Sequence, residues 1–438
     1  MRKFGLAAVA AAFMLSPGAS PAASTPQFDL VAPESVGFDA AKLKALDDAM
    51  DRAVDSGEVA GVQIMAVRHG RIADLHMHGN KHMDGDPVRR DTIFRIYSQT
   101  KPMIGVAMMI LYEKGLWSLD DPVTKFIPEF AGLKVMKSVG ADGKPILEDM
   151  KRPPNMRELL THSAGFGYGL RTGNPIDDAF RDKKVLSSHG LKEMIDKIAT
   201  IPLLFQPGTK WSYSAAVDIQ GYIIEKLSGR TLGEFMAENI WRPLRMTDTG
   251  FFVPQESAAR LSGVFVVNPQ TGKPFELTAA LFPDMQDFTK PPPLESGGGG
   301  AVSTADDYAR FCQMILNKGE LDGVRILKPQ SVAMLAQNQL GPDVVPQAAG
   351  GLPAIGGDAL GFGLDFGVLL DPAKLGLKQG KGTIWWGGAA GTWFWIDPEN
   401  DLFFLGMIQR FDGGAAGSVR LSLASQSLLY PALTHPEK

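Results

Sequence analysis

The chain has 438 residues, 45% of them apolar and 21% charged, which is the balance of a soluble globular protein with enough chain for two domains or one large composite one. Formal net charge is −4, from 44 basic against 48 acidic residues, so there is no basic footprint for a nucleic-acid partner. A single cysteine, Cys312, excludes an intrachain disulfide and leaves stability to core packing.

Residues 1–23 have the pattern of a secretory signal peptide. Arg2 and Lys3 precede an apolar run from Phe4 to Leu15, too short to span a bilayer, and Ser20-Pro21-Ala22 supplies small residues for cleavage. The expectation is export to the periplasm or beyond, with no further membrane-spanning run. Asp39 to Val54 then predicts an amphipathic helix. Gly61 to Arg68, a turn at His69-Gly70 and Ile72 to His78 predict a hairpin. Val135 to Met150 carries a turn at Gly140 to Gly143. Short helices are expected at Met156 to Leu160, Leu191 to Ala199, Val217 to Leu227 and Leu232 to Ile240. Pro291-Pro292-Pro293 and Gly297 to Gly300 mark the clearest break in the chain. A helix over Ala305 to Asn317 places Cys312 in an apolar face, as a core residue. Strands are expected at Gly361 to Leu370, Thr383 to Gly388, Thr392 to Ile396 and Leu402 to Gln409, and a last helix at Ser418 to Tyr430. Strands at both ends and helices between predict a mixed sheet domain (24–118 and 297–438) with a mostly helical domain (119–296) inserted.

The most informative stretch is Ser98-Gln99-Thr100-Lys101, just before the apolar run from Met103 to Tyr112. Residues three apart share a helix face, so the Lys101 amine can reach the Ser98 hydroxyl. A serine hydroxyl is a weak nucleophile until a neighbouring base takes its proton. Pro102 is tolerated in a first helical turn, where N–H groups are unpaired, and this predicts Ser98 at a helix start. Alone, the tetrapeptide reads equally well as a serine-capped helix.

Two further pieces stand with it: Tyr213-Ser214-Ala215 after Pro207-Gly208, and Trp386-Gly387-Gly388 on a late strand. Leu160-Thr161-His162-Ser163-Ala164-Gly165, Gly298-Gly299 and Leu119-Asp120-Asp121-Pro122 complete the set. Together, over roughly residues 30 to 430, they resemble the serine β-lactamase and penicillin-binding-protein superfamily. Within it the chain is similar to the class C-like esterases called family VIII carboxylesterases. The resemblance implies an α+β fold, a mainly antiparallel sheet flanked by helices, with the active site between sheet and helical domain. It implies Ser98 as acylated nucleophile, Lys101 as its base partner and Tyr213 as the proton-sharing tyrosine; which of the two takes the first proton is left open. It implies an oxyanion hole from the N–H groups of Ser98 and Ala389. No cofactor or metal is implied.

The chain departs from the lactamase pattern twice. Trp386 stands where lactamases and peptidases usually carry the lysine of Lys-Thr-Gly, and Ala215 stands where class C enzymes usually carry asparagine. A carboxylate contact and an amide contact are thereby lost. With Trp386, Gly387, Gly388 and Ala215 as substrate-binding residues, this favours a neutral short-chain ester. A class C-like β-lactamase, a DD-peptidase, an acyltransferase and an inactive ligand-binding homologue are the alternatives. His76, His78 and His82 suggest a metal-hydrolase cluster only loosely, since Asn80 stands where an aspartate is needed. His162 reads as structural. No Gly-x-Ser-x-Gly elbow is present.

Overall fold

The computed structural model describes residues 27–434 except 269, 279–285, 347–353 and 412–415, with the backbone alone for 416–418. The expected signal peptide lies outside the described residues. Among those described, no helix is long and apolar enough to cross a membrane.

A seven-stranded sheet divides the molecule. Its strands are β1 (Gly61–Arg68), β2 (Arg71–Gly79), β3 (Leu360–Phe362), β4 (Gly367–Leu369), β5 (Ile384–Gly387), β6 (Trp393–Asp397) and β7 (Leu402–Met407). They lie in the order β3-β4-β5-β6-β7-β1-β2, every pair antiparallel. The first hairpin closes through His69 (φ 53°) and Gly70 (φ 68°), two left-handed residues whose twist matches that of the strands. The helices used below are α1 (Ala40–Asp55), α2 (Lys101–Glu113), α3 (Pro175–Asp182), α4 (Ala216–Ser228), α5 (Ala305–Leu316) and α6 (Ala416–Leu429).

Period-two alternation sorts side chains onto the two faces of the sheet. Val62, Ile64, Ala66, Trp393, Trp395, Leu402 and Phe404 share one core with Leu43, Leu46 and Met50 of α1. Trp395 stacks on Phe404 with ring centroids 4.5 Å apart. The residues between them, Met65, Val67, Phe394, Ile396, Phe403 and Leu405, face the larger core with α2, α4 and α5. Trp386 faces that larger core too. Helix α2 is buried from Lys101 through Leu111, so it has no solvent face, and a helix apolar all round belongs at the centre of a fold.

Three sequence expectations need revision. The strand expected over Gly361 to Leu370 is two strands, β3 and β4. The chain reverses between them at Asp365, whose φ is 64° and whose amide donates to Leu160 O. An unbroken apolar run hid the turn. The helix expected over Leu232 to Ile240 is α-helical only for Leu232–Met236; Ala237–Trp241 forms a wider π turn, and Ile240 and Trp241 are both buried there. Ser98 lies not in α2 but in a 3-10 turn, Tyr97–Thr100, that leads into it.

Candidate active site

The segment bearing Ser98 is held from two sides. Phe94 and Arg95 pair with Ser303 and Val302, and Ile96 N donates to Ala301 O at 3.1 Å. Tyr97 then takes φ 41°, an uncommon value for a residue with a side chain, and opens the 3-10 turn in which Ser98 is the second residue. Across from it comes the end of β5. A Cβ on Gly388 would lie 2.3 Å from Ile96 O, so only glycine permits this approach. Ala389 follows at once and is exposed. The two segments expected to supply oxyanion N–H groups are thereby packed against each other.

Lys101 is buried, and its amine nitrogen has three oxygens in reach. It donates to Ser98 Oγ at 3.2 Å, to Tyr168 Oη at 3.2 Å and, by a short bond, to Gly298 O. The Nζ also sits 4.6 Å from the ring centre of Tyr213 and 5.1 Å from that of Tyr168, a cation between two π faces. The two tyrosine rings meet edge-on at 5.5 Å. Tyr213 Oη is buried without a protein partner, and the ring packs against Trp386 at 5.5 Å. Tyr213 therefore meets Lys101 through its ring. The phenol oxygen bonded to the amine is that of Tyr168, which the sequence reading did not single out.

Tyr168 sits in Gly167-Tyr168-Gly169, a stretch with no signature of its own. Its placement comes from α3. Asn174 caps that helix, accepting from Ile176 N and Asp177 N, and the buried Asp177 accepts from Tyr168 N at 2.8 Å and Gly169 N at 2.7 Å. Burial raises the Tyr168 phenol well above its usual range, and the nearby Asp218 charge adds to this, so it stays protonated.

Gly297 to Gly300, expected as a break, threads through the site instead. A Cβ on Gly298 would lie 2.2 Å from Asp218 Oδ2 and 2.6 Å from Tyr168 Oη. Asp218 fixes this backbone by accepting from Gly298 N at 3.0 Å and Ser296 Oγ at 2.5 Å. The glycines give the close approach that lets a main-chain carbonyl reach Lys101.

The remaining expected residues divide. Trp386 lines the aromatic wall beside Tyr213, and its Nε1 is buried with no protein partner. Gly387 ends β5, and Gly388 follows it against Ile96. Ala215 is wholly buried, its N–H donating to Gly167 O at the start of α4, so its methyl faces the core. His76, His78 and His82 each pair with their own carboxylate: Asp51 at 2.6 Å, Asp55 at 2.9 Å and Glu276 at 2.9 Å. Among the described residues, no group of three or more His, Cys, Asp or Glu is placed to hold a metal ion. Cys312 is buried in α5, and burial pushes its thiol well up, away from reactivity.

Comparison with known proteins places the chain among relatives of the same overall fold. Protein Rv1367c of Mycobacterium tuberculosis is 33% identical over 86% of this chain and 94% of its own length. Esterase EstB of Burkholderia gladioli is 31% identical over 89% of this chain and 96% of its own. The solved structure of EstCE1, described as a hydrolase with promiscuous acyltransferase activity, superposes with a TM-score of 0.72 at 25% identity, covering 89% of this chain and 99% of that one. The family model described as Beta-lactamase matches residues 46–426, and the chain belongs to that family of serine β-lactamase-like hydrolases.

Proposed function

We propose that the protein cleaves short-chain carboxylic esters through an acyl-enzyme on Ser98. The observation that carries this is Lys101 Nζ, 3.2 Å from Ser98 Oγ and enclosed by the rings of Tyr168 and Tyr213. Ser98 Oγ attacks the ester carbonyl carbon while its proton passes to the Lys101–tyrosine group. The negative charge on the carbonyl oxygen is held by the N–H groups of Ser98 and Ala389, an arrangement worth several kcal/mol to a transition state. The alkoxide leaves with a proton from the same group; Tyr213 Oη, buried and without a protein partner, is reserved for that contact. Water then reverses the sequence and frees the acid. Ser98, Lys101 and Tyr213 are catalytic residues in this reading, and Trp386, Gly387 and Gly388 shape the pocket, with the sheet domain at 24–118 and 297–438 and the helical domain at 119–296 on either side.

Trp386 supports an ester over a β-lactam, because indole surface replaces a cation at the substrate carboxylate. Losing one charge-assisted hydrogen bond of about 1.5–3 kcal/mol should cost an anionic substrate about 10- to 100-fold. The test compares kcat/KM on p-nitrophenyl butyrate, nitrocefin and benzylpenicillin. Faster β-lactam turnover would replace this reading with the lactamase alternative. An acyl group passed to an alcohol instead of water is a second outcome, favoured by the description of EstCE1, and product analysis with added alcohol detects it. We also propose export, motivated by Arg2, Lys3 and the apolar run to Leu15. N-terminal sequencing of native protein should return a start near Ala22 to Thr25, and recovery of Met1 would refute it.

A further inference from the structure

Tyr213 lies outside any helix or strand, so something else must fix it. The residues on either side of it are both held by His162. Ser212 N donates to His162 O at 2.9 Å, and His162 Nδ1 meets Ser214 Oγ at 2.9 Å. The imidazole lies 4.9 Å from the Tyr213 ring, centre to centre, and is itself walled by Phe362 at 5.4 Å and Trp211 at 6.1 Å. The phenol ring also lies 4.6 Å from Lys101 Nζ and 5.5 Å from the Trp386 ring. We infer that His162 is a positioning residue for Tyr213, clamping residues 212 and 214 and backing the phenol ring.

The cost of this histidine supports the assignment. It is fully buried, its Nε2 has no protein partner, and its φ is 57°. An unsatisfied buried polar atom and a left-handed backbone both work against the folded state. Stability alone would favour glycine or an apolar residue here. What the imidazole supplies is a ring and a nitrogen at one fixed spacing: the ring meets Tyr213, and the nitrogen meets Ser214. Ser214 Oγ also accepts from Ala216 N at 3.3 Å, so its own proton is free for Nδ1, and the clamp extends to the first turn of α4. Burial, with the Lys101 charge second, lowers the imidazole pKa well below its usual value. The ring therefore stays neutral and adds no second cation beside Lys101.

This inference rests on Tyr213 taking part in acylation of Ser98, and the test separates the two. The rate of Ser98 labelling by a fluorophosphonate is measured by intact mass for the parent, His162→Asn, Ser214→Ala, Tyr213→Phe and the two double variants with Tyr213→Phe. His162→Asn keeps the left-handed backbone and a group that can bond Ser214 but loses the ring. Ser214→Ala keeps the ring but loses the bond. Each should slow labelling, and kcat on p-nitrophenyl butyrate, by about ten-fold with KM little changed, the scale of a lost near-attack geometry. In the Tyr213→Phe background each should have no further effect. Folding is checked by melting temperature, and Ser214→Ala serves if His162→Asn does not fold. A parent that does not label refutes the proposed acyl-enzyme itself. A parent that labels, with variants that label equally fast or that lose as much in the Tyr213→Phe background as alone, overturns the clamp.

Discussion

The Lys101 amine has three oxygens within hydrogen-bond reach: Ser98 Oγ, Tyr168 Oη and Gly298 O. The carbonyl can only accept, so it holds the amine in place and takes no proton from it. Lys101→Ala and Tyr213→Phe should each lower kcat/KM by roughly 100-fold or more, the scale of general acid–base catalysis. Their double variant should lose little beyond the worse single one, since groups acting as a unit do not add; additive losses would assign them separate roles. Tyr168→Phe removes one charged hydrogen bond and should cost about 10-fold, less than Tyr213→Phe. The reverse order would move the proton route to Tyr168. Ser98, Lys101 and Tyr213 were legible because each sits in a short pattern of fixed order. Tyr168 and the Gly298 carbonyl were not. Tyr168 depends on a buried aspartate nine residues further along the chain, and a main-chain carbonyl has no letter in a sequence.

Most elements were readable from local pattern. The first hairpin, α1, α4 and the β6–β7 pair lie within a residue or two of their expected bounds. What misled was glycine. The run Gly297 to Gly300 has the composition of a linker, yet a Cβ on Gly297, Gly298 or Gly300 would lie 2.7, 2.2 or 2.9 Å from its nearest neighbour, and only Gly299 has room. Gly298→Ala and Gly299→Ala tell the two ideas apart. Neither residue has a left-handed φ, so the cost is steric alone. A Cβ at 298 would lie 2.2 Å from Asp218 Oδ2, whereas at 299 the nearest atom, Tyr97 C, is 3.5 Å away, an ordinary contact. Gly298→Ala should lower the melting temperature and cost more than 10-fold in turnover, while Gly299→Ala stays folded with its melting temperature unchanged. Equal tolerance at both positions would restore the linker reading. Helix α3 was also missed, although Asn174-Pro175 followed by Asp177 and Asp178 is an ordinary N-terminal signal.

For the whole molecule, the seam between α1 and β2 sets a pH dependence. Burial and the facing Asp47 push Asp74 up to about 8, and burial raises Asp47 as well. An aspartate has a pKa near 3.9 when unfolded. A raised carboxyl contributes stability that is complete below the unfolded value and is lost as pH rises through the folded one. Asp74→Asn should therefore raise the melting temperature more at pH 9 than at pH 5; a gain independent of pH would show that Asp74 is not held protonated. The sheet has another consequence, one of timing. One pairing in it joins β1, from residues 61–68, to β7, from residues 402–407, and Thr434 N closes the circle on Gly37 O. Contacts so distant in sequence form late and slowly. A growing chain that has reached only β4 carries Ser98, Lys101 and Tyr213 but has neither Gly388 against Ile96 nor a partner for the β1 edge. If Ser98 is the nucleophile proposed above, it is complete in covalent terms long before the segment proposed as its oxyanion site exists, and a chain cut short before β5 should neither label with a fluorophosphonate nor turn over an ester.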